Sequence, residues 1–235
     1  MFSSAELRRR LAAARLYLIF TPERITTRDP LAALEAALPW VDLVQVRPKP
    51  ADRDLDPQRS DSRALATTSA RASFDWSVRV LDLAAQLGEA RPLVLANDRV
   101  DVAKCLLERG LAGVHVGQND MPPHVAREVL GADALIGLST HSNAQVAAAF
   151  DAPIDYLGFG PIRATSTKGY TKGLGTDAAW IAQQVTALPV FPIGGIGVLE
   201  VEELAELGRA AVSSAILEST DPAGAARLMR DLLAR

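Results

Sequence analysis

Cysteine is nearly absent from this chain. Cys105 is the single one among 235 residues, so no internal disulfide and no cysteine-based metal cluster can form. It sits in an apolar, helix-like stretch, Val102 to Leu107, and reads as a buried packing thiol, which fits a reducing compartment. Aromatic residues make up 5%, and the three histidines lack the spacing to share a metal. Of these, His115 reads as a satisfied interior residue, His124 as exposed, and His141 as a capping or orienting group rather than a general base. No run approaches the roughly 18 apolar residues that a membrane span needs. A G-x-S-x-G elbow, a Walker loop and a dinucleotide fingerprint are also missing. The net charge of −3 gives no general reason to expect nucleic-acid or membrane-surface binding. The segment from Ser4 to Leu11 is charged and amphipathic without the apolar centre of a secretory signal, so a cytoplasmic location is the expectation.

What is abundant is apolar sequence, 49% of the residues, arranged in a repeated rhythm. After an N-terminal helix, eight short apolar runs read as strands: 16–21, 41–47, 93–96, 113–116, 135–138, 156–159, 190–193 and 210–213. Helical stretches alternate with them, several opened by a helix-start signal such as Asp29-Pro30 or Asp221-Pro222. Strands apolar on both faces suit a parallel sheet covered by helices. Eight such units in 235 residues predict a single (β/α)8 barrel over the whole chain. The doubly wound alternative calls for a glycine-rich first turn, which is missing after Thr21. Residues 50 to about 75 carry no sustained apolar face and read as a polar surface insertion, with the third helix resuming near Trp76.

In such a barrel the working face lies at the C-terminal ends of the strands. The unusual polar residues fall there. Gln45, Arg47 and Lys49 follow strand two, Asn97 and Asp98 strand three, Asp120 strand four, and Ser139 and His141 strand five. A Gly/Thr/Ser-rich stretch from Gly158 to Gly169, with Thr165, Ser166, Thr167 and Lys168, follows strand six. Gly194-Gly195 follows strand seven and Ser213-Ser214 strand eight, where a barrel phosphate site is expected. Asp98 and Asp120, taken singly, could each cap the next helix. As a pair on adjacent strands they suit Mg²⁺, which takes one or two carboxylates plus water and substrate oxygens. Arg47, Lys49 and Lys168 add positive charge, while Gln45 and Asn97 can read a heterocycle or a phosphate. Two phosphate sites and one metal in one mouth suggest joining a phosphorylated molecule to a diphosphate ester, with pyrophosphate leaving.

Six ordered segments resemble the thiamine-phosphate synthase family: Q-V-R-P-K at 45–49, N-D-R-V-D at 97–101, G-V-H-V-G-Q-N-D at 113–120, L-S-T-H-S at 138–142, G-F-G-P-I-R-A-T-S-T-K at 158–168 and I-G-G-I at 193–196. The similarity runs from about residue 16 to the C-terminal end, interrupted by the insertion. The resemblance implies a barrel that joins hydroxymethylpyrimidine diphosphate to thiazole phosphate, giving thiamine phosphate and pyrophosphate. It implies Mg²⁺ at Asp98 and Asp120. It implies the pyrimidine diphosphate at Gln45, Arg47, Lys49, Asn97, Ser139 and Lys168, and the thiazole phosphate at Thr165, Ser166, Thr167, Gly195, Ser213 and Ser214. Ser139, Lys168 and Arg47 are the implied catalytic groups of a dissociative reaction: pyrophosphate departs, a pyrimidine methyl cation forms, and the thiazole nitrogen attacks it. This sequence departs from the family pattern at Pro48, where glutamate is usual, at Arg163-Ala164, where an aromatic-proline pair is usual, and before Ser213, where the segment is short enough to leave the register of strand eight open. The alternatives are a thiazole tautomerase-like isomerase, whose kind tends to lack the two carboxylates and the loop lysine, and a non-catalytic thiamine-phosphate or thiazole-phosphate binding protein.

Overall fold

A computed structural model describes residues 2–49, 69–164 and 173–235. Eight parallel strands alternate with helices: β1 (Leu16–Phe20), β2 (Leu43–Val46), β3 (Leu93–Asn97), β4 (Gly113–Val116), β5 (Leu135–Thr140), β6 (Tyr156–Phe159), β7 (Val190–Pro192) and β8 (Ala210–Val212). Their order is β7-β6-β5-β4-β3-β2-β1-β8, and a parallel bridge between Ile193 and Ala211 closes β7 onto β8. This is the expected (β/α)8 barrel. It also fixes strand eight: Ala210, Ala211 and Val212 pair with Leu16, Tyr17 and Leu18, so β8 ends immediately before Ser213.

The helices are α1 (Ser4–Ala13), α2 (Pro30–Ala37), α3 (Ala70–Ala85), α4 (Val100–Leu106), α5 (Pro123–Leu130), α6 (Asn143–Ala148), α7 (Thr176–Val185), α8 (Val198–Glu203), α9 (Ser214–Leu217) and α10 (Pro222–Leu233). Because the strands are buried on both faces, the molecule has two apolar cores. Leu16, Leu18 and Phe20 point outward into the layer between sheet and helices. Tyr17 and Ile19 point inward, with Leu43, Leu95, Tyr156 and Phe191. Leu7 and Leu11 of α1 join that inner cluster, so the N-terminal helix stops the end of the barrel opposite the strand C-termini.

Two local expectations are corrected. The third helix begins at Ala70, not near Trp76, with the Ser69 hydroxyl accepting from the Ala72 N–H at 3.1 Å. Its inward face opens on Ser73 and Ser77, both buried, before reaching Val80, Leu81 and Ala84. An apolar pattern therefore cannot reveal its first two turns. The rest of the expected insertion, 50–68, lies outside the described residues. Cys105 is exposed rather than buried: α4 turns Val102, Ala103 and Leu106 inward, which leaves Lys104 and Cys105 on the outer side.

Asp155, just before β6, ties the closed end together. Its carboxylate accepts from Arg8 Nε at 3.1 Å, Arg127 Nη2 at 2.7 Å and the Ile136 N–H at 2.8 Å, and its side chain is only 8% exposed. Removing it leaves the half-buried Arg127 guanidinium without its counter-charge, though still bonded to the Pro153, Gly131 and Ala134 carbonyls, and takes the acceptor from the Ile136 N–H. Asp155→Ala is therefore expected to lower the unfolding free energy by about 3 kcal/mol, read from urea denaturation. A loss below about 0.5 kcal/mol would show the cluster behaving as an ordinary surface ion pair.

Candidate active site

The C-terminal ends of the strands surround a cavity of about 850 Å³. Of the residues singled out from sequence, Gln45, Arg47, Asn97, Asp98, Asp120, Ser139, Gly195, Ser213 and Ser214 all line it. Lys49 does not: it stands outside the lining, with its backbone N–H donating to Glu23 Oε2 at 3.0 Å. Thr165, Ser166, Thr167 and Lys168 lie outside the described residues.

The cavity has two chemically distinct poles. At the first, after β2, β3 and β4, two carboxylates face two guanidiniums. Asp98 holds a left-handed backbone with φ of 61°, the sole non-glycine residue with positive φ among the described residues. Such a conformation is disfavoured for a residue with a Cβ, and aspartate is among the few that tolerate it. Its N–H donates to the His115 carbonyl at 2.8 Å, and its Oδ2 accepts from Asn97 Nδ2 at 2.5 Å. Neither carboxylate caps the next helix: α4 and α5 have Arg99 and Pro122 at their N-caps, without a side-chain cap bond. Asp120 instead accepts from the Gly117 N–H at 2.7 Å.

Asp98 is open to the cavity, yet protein walls displace much of the bulk water around it. This desolvation, with the adjoining charge and hydrogen bond of Asp120, raises its pKa to about 7, against the opposing pull of Arg47 and Asn97. Burial lowers the pKa of Arg47, partly countered by Asp98, and Arg24 adds to the lowering by repulsion. Arg24 is a cavity residue that sequence reading missed. It lies in the short turn Pro22–Arg24 directly after β1, so the strand-end rule applied to every strand would have found it.

The second pole follows β7 and β8. Gly194 and Gly195 have φ of 97° and 67°, and a Cβ on Gly195 would stand 2.7 Å from the Cβ of Arg163. Consecutive left-handed residues of this kind form a concave backbone turn suited to an anion. Arg163 is clamped to Glu200 at 3.0 Å and Glu203 at 3.0 Å, and Glu200 also accepts from the Gly197 N–H at 2.9 Å. The Ser213 hydroxyl donates to the Ile19 carbonyl at 2.7 Å, so in this arrangement its proton is turned away from the cavity.

Beneath the poles a small group of polar side chains lies within the apolar inner core. Tyr17, buried Gln45 and His115 reach the cavity from below, and Tyr156 lies fully buried among them. Tyr17 and Tyr156 were not singled out from sequence, because an aromatic inside an apolar strand reads as core. His115 fulfils its expectation of a satisfied interior residue, bonded to Tyr156 and Ser139 at 3.1 and 2.9 Å. His141 Nδ1 is 2.5 Å from the Gly160 carbonyl, an orienting contact.

With this geometry in view, the relatives of the chain can be compared. A family model described as thiamine monophosphate synthase matches residues 16–216. A thiamine-phosphate synthase of Azorhizobium caulinodans is 36% identical over 226 residues, 93% of this chain and 94% of that protein. Another, of Gloeobacter violaceus, is 37% identical over 94% of this chain. The chain spans only 58% of that relative and 60% of a Synechocystis thiamine-phosphate synthase, so several curated relatives are considerably longer. Among solved structures, a thiamine phosphate pyrophosphorylase from Pyrococcus furiosus superposes with a TM-score of 0.73 and 25% identity, covering 97% of both chains. A 3-hexulose-6-phosphate synthase from Salmonella typhimurium, at TM-score 0.62 and 17% identity, shares the fold.

Proposed function

This chain belongs to the thiamine monophosphate synthase family, and on that premise we propose that it joins hydroxymethylpyrimidine diphosphate to thiazole phosphate, yielding thiamine phosphate and pyrophosphate. The observation that carries this reading is the two-pole cavity: a carboxylate pair among arginines faces a Gly-Gly/Ser-Ser turn across one space. A diphosphate ester fits the first pole and a monophosphate the second.

The donor set at the first pole suits Mg²⁺. Asp98 and Asp120 are hard oxygen ligands at one end of the cavity, and the charge of Asp120 works against ionisation of Asp98, a cost that a cation would remove. Among the described residues no cluster of three or more metal-ligating side chains occurs, so an ion here would complete its shell with water and diphosphate oxygens, as Mg²⁺ commonly does. When bound, Mg²⁺ would supply the charge compensation that lets pyrophosphate depart. Arg47, half-buried beside Asp98, would hold the diphosphate, and Lys168 and Lys49 would add charge as it leaves. Gln45, Asn97 and Ser139 would orient the pyrimidine. Thr165, Ser166, Thr167, Gly195, Ser213 and Ser214 would hold the thiazole phosphate, presenting its nitrogen to the pyrimidine methyl cation. Holding both partners in one cavity is the larger share of the catalysis, and no protein nucleophile takes part.

The test is direct: purified protein, both substrates and Mg²⁺, with pyrophosphate and thiamine phosphate assayed together. Metal-dependent formation of both supports the synthase. Saturable thiazole phosphate binding without pyrophosphate release would overturn it in favour of an isomerase or a binding protein.

The raised pKa of Asp98 gives a pH prediction. In the metal-free fold Asp98 holds its proton up to about 7, whereas the unfolded chain releases it near 3.8. The folded state therefore binds more protons between those values, and stability falls as pH rises through that window. Mg²⁺ favours the ionised pair and reverses the loss. The thermal shift caused by Mg²⁺ is expected to be larger at about pH 8 than at about pH 5.5, as followed by calorimetry. An equal shift at both would place the ion away from Asp98.

A further inference from the structure

Five polar side chains from five different strands form one hydrogen-bonded chain through the barrel. Gln45 Nε2 of β2 donates to Tyr17 Oη of β1 at 2.7 Å. Tyr17 Oη meets Tyr156 Oη of β6 at 2.9 Å, Tyr156 Oη meets His115 Nδ1 of β4 at 3.1 Å, and His115 Nε2 meets Ser139 Oγ of β5 at 2.9 Å. The inner links are buried, and both ends, Gln45 and Ser139, line the cavity.

Each phenol carries a single proton, so the chain has a direction. With the Gln45 amide donating to Tyr17, the Tyr17 proton must go to Tyr156 and the Tyr156 proton to His115 Nδ1. His115 then carries its proton on Nε2 and donates it to Ser139 Oγ. Gln45 is left presenting its carbonyl Oε1, which accepts from none of the described residues, and Ser139 is left with its own hydroxyl proton to give. Reversing the order would flip the Gln45 amide and turn Ser139 into an acceptor for its ligand. The amide orientation at one wall and the donor direction at another are therefore a single linked choice. Burial keeps both phenols protonated, since it raises the pKa of Tyr17 and Tyr156 alike.

Two strand glycines make room for the inner links. A Cβ on Gly137 would lie 2.1 Å from Tyr156 Cζ and 2.5 Å from His115 Nδ1, and one on Gly158 would lie 3.1 Å from His115 Cε1. Glycine weakens a strand, and its use there marks a close approach that a side chain would block. What approaches here is the tyrosine–histidine link itself.

We propose that Tyr17, Tyr156 and His115 are positioning residues: a proton-ordered wire that sets Gln45 as acceptor and Ser139 as donor, and thereby selects an aminopyrimidine over an oxopyrimidine. An exocyclic amine gives to the Gln45 carbonyl and an unprotonated ring nitrogen takes from Ser139. An oxopyrimidine sets a carbonyl where the amine stood, so acceptor meets acceptor. The selectivity half of the proposal rests on the synthase reading; the wire itself does not.

The test has two arms on the full chain, wild type and the Tyr156→Phe and Tyr17→Phe variants. The first is nitrogen-15 NMR of the His115 imidazole without substrate. Wild type is expected to show Nδ1 unprotonated and Nε2 protonated, and Tyr156→Phe to show mixed tautomers. An Nδ1-protonated ring in wild type, or no change in Tyr156→Phe, overturns the wire. The second arm compares kcat/KM for the 4-amino and 4-oxo pyrimidine diphosphates, with KM for thiazole phosphate as the control. Either variant is expected to lower the amino/oxo ratio roughly tenfold or more and leave the thiazole KM unchanged. A merely structural role would lower both kcat/KM values together and keep the ratio, which overturns the selectivity claim. Because the NMR arm needs no turnover, a protein that releases no pyrophosphate would sink the synthase reading while the wire is still judged on its own result.

Discussion

Replacing Asp98 and Asp120 together by alanine is expected to cut pyrophosphate release by at least about a thousandfold. The magnitude follows from the chemistry: a departing pyrophosphate needs its charge met, and among the described residues Asp98 and Asp120 are the carboxylates of the first pole that can anchor a hard cation. Arg24 and Arg47 remain in the variant, so the diphosphate is still attracted and the loss should appear in kcat more than in KM. Stability should move the other way. The fold disfavours the Asp98 carboxylate in its charged form, so the single Asp98→Asn change, which keeps a side chain tolerated at φ of 61°, is expected to leave the metal-free protein at least as stable near neutral pH. That separates a chemical loss from unfolding. Near-wild-type release by a folded double variant would remove the carboxylates from the reaction.

The second large effect concerns the opposite pole. Gly195→Ala puts a Cβ on a residue with φ of 67° and within 2.7 Å of the Arg163 Cβ. Arg163 cannot easily give way, because Glu200 and Glu203 hold its guanidinium at 3.0 Å each. The turn must shift instead. A displacement of about 1 Å at a positioning contact can cost on the order of a hundredfold. KM for thiazole phosphate is therefore expected to rise roughly tenfold to a hundredfold, with KM for the pyrimidine diphosphate unchanged, from steady-state kinetics with each substrate varied in turn. An equal rise for both substrates would show that the two poles do not divide the substrates between them.

Much of this protein was legible in its sequence, and apart from Arg24 the misses share one cause. Strand count and order of elements followed from the alternation of apolar runs with helical stretches. The cavity followed from reading what comes after each run, which brought Gln45, Asn97, Asp98, Asp120, Ser139 and Gly195 to one mouth. His115 was placed in the interior correctly, but elsewhere the misses turned on which way a residue faces. Cys105 sits within an apolar stretch but turns outward. Ser73 and Ser77 are polar but turn inward, which hid the start of α3.

The sequence by itself therefore determined the barrel and the end of it that carries the cavity. Local hydrophobic periodicity specifies elements, and parallel strands alternating with helices admit few closed arrangements. Only the tertiary structure decided how β8 closes on β1, that Asp98 is desolvated beside the charge of Asp120, and that Gln45, Tyr17, Tyr156, His115 and Ser139 form one hydrogen-bonded chain. The reason is physical. A strand buried on both faces is apolar on both, so its sequence carries no alternation to tell inside from outside. The polar contacts that matter join strands up to 139 residues apart, and no local pattern records them.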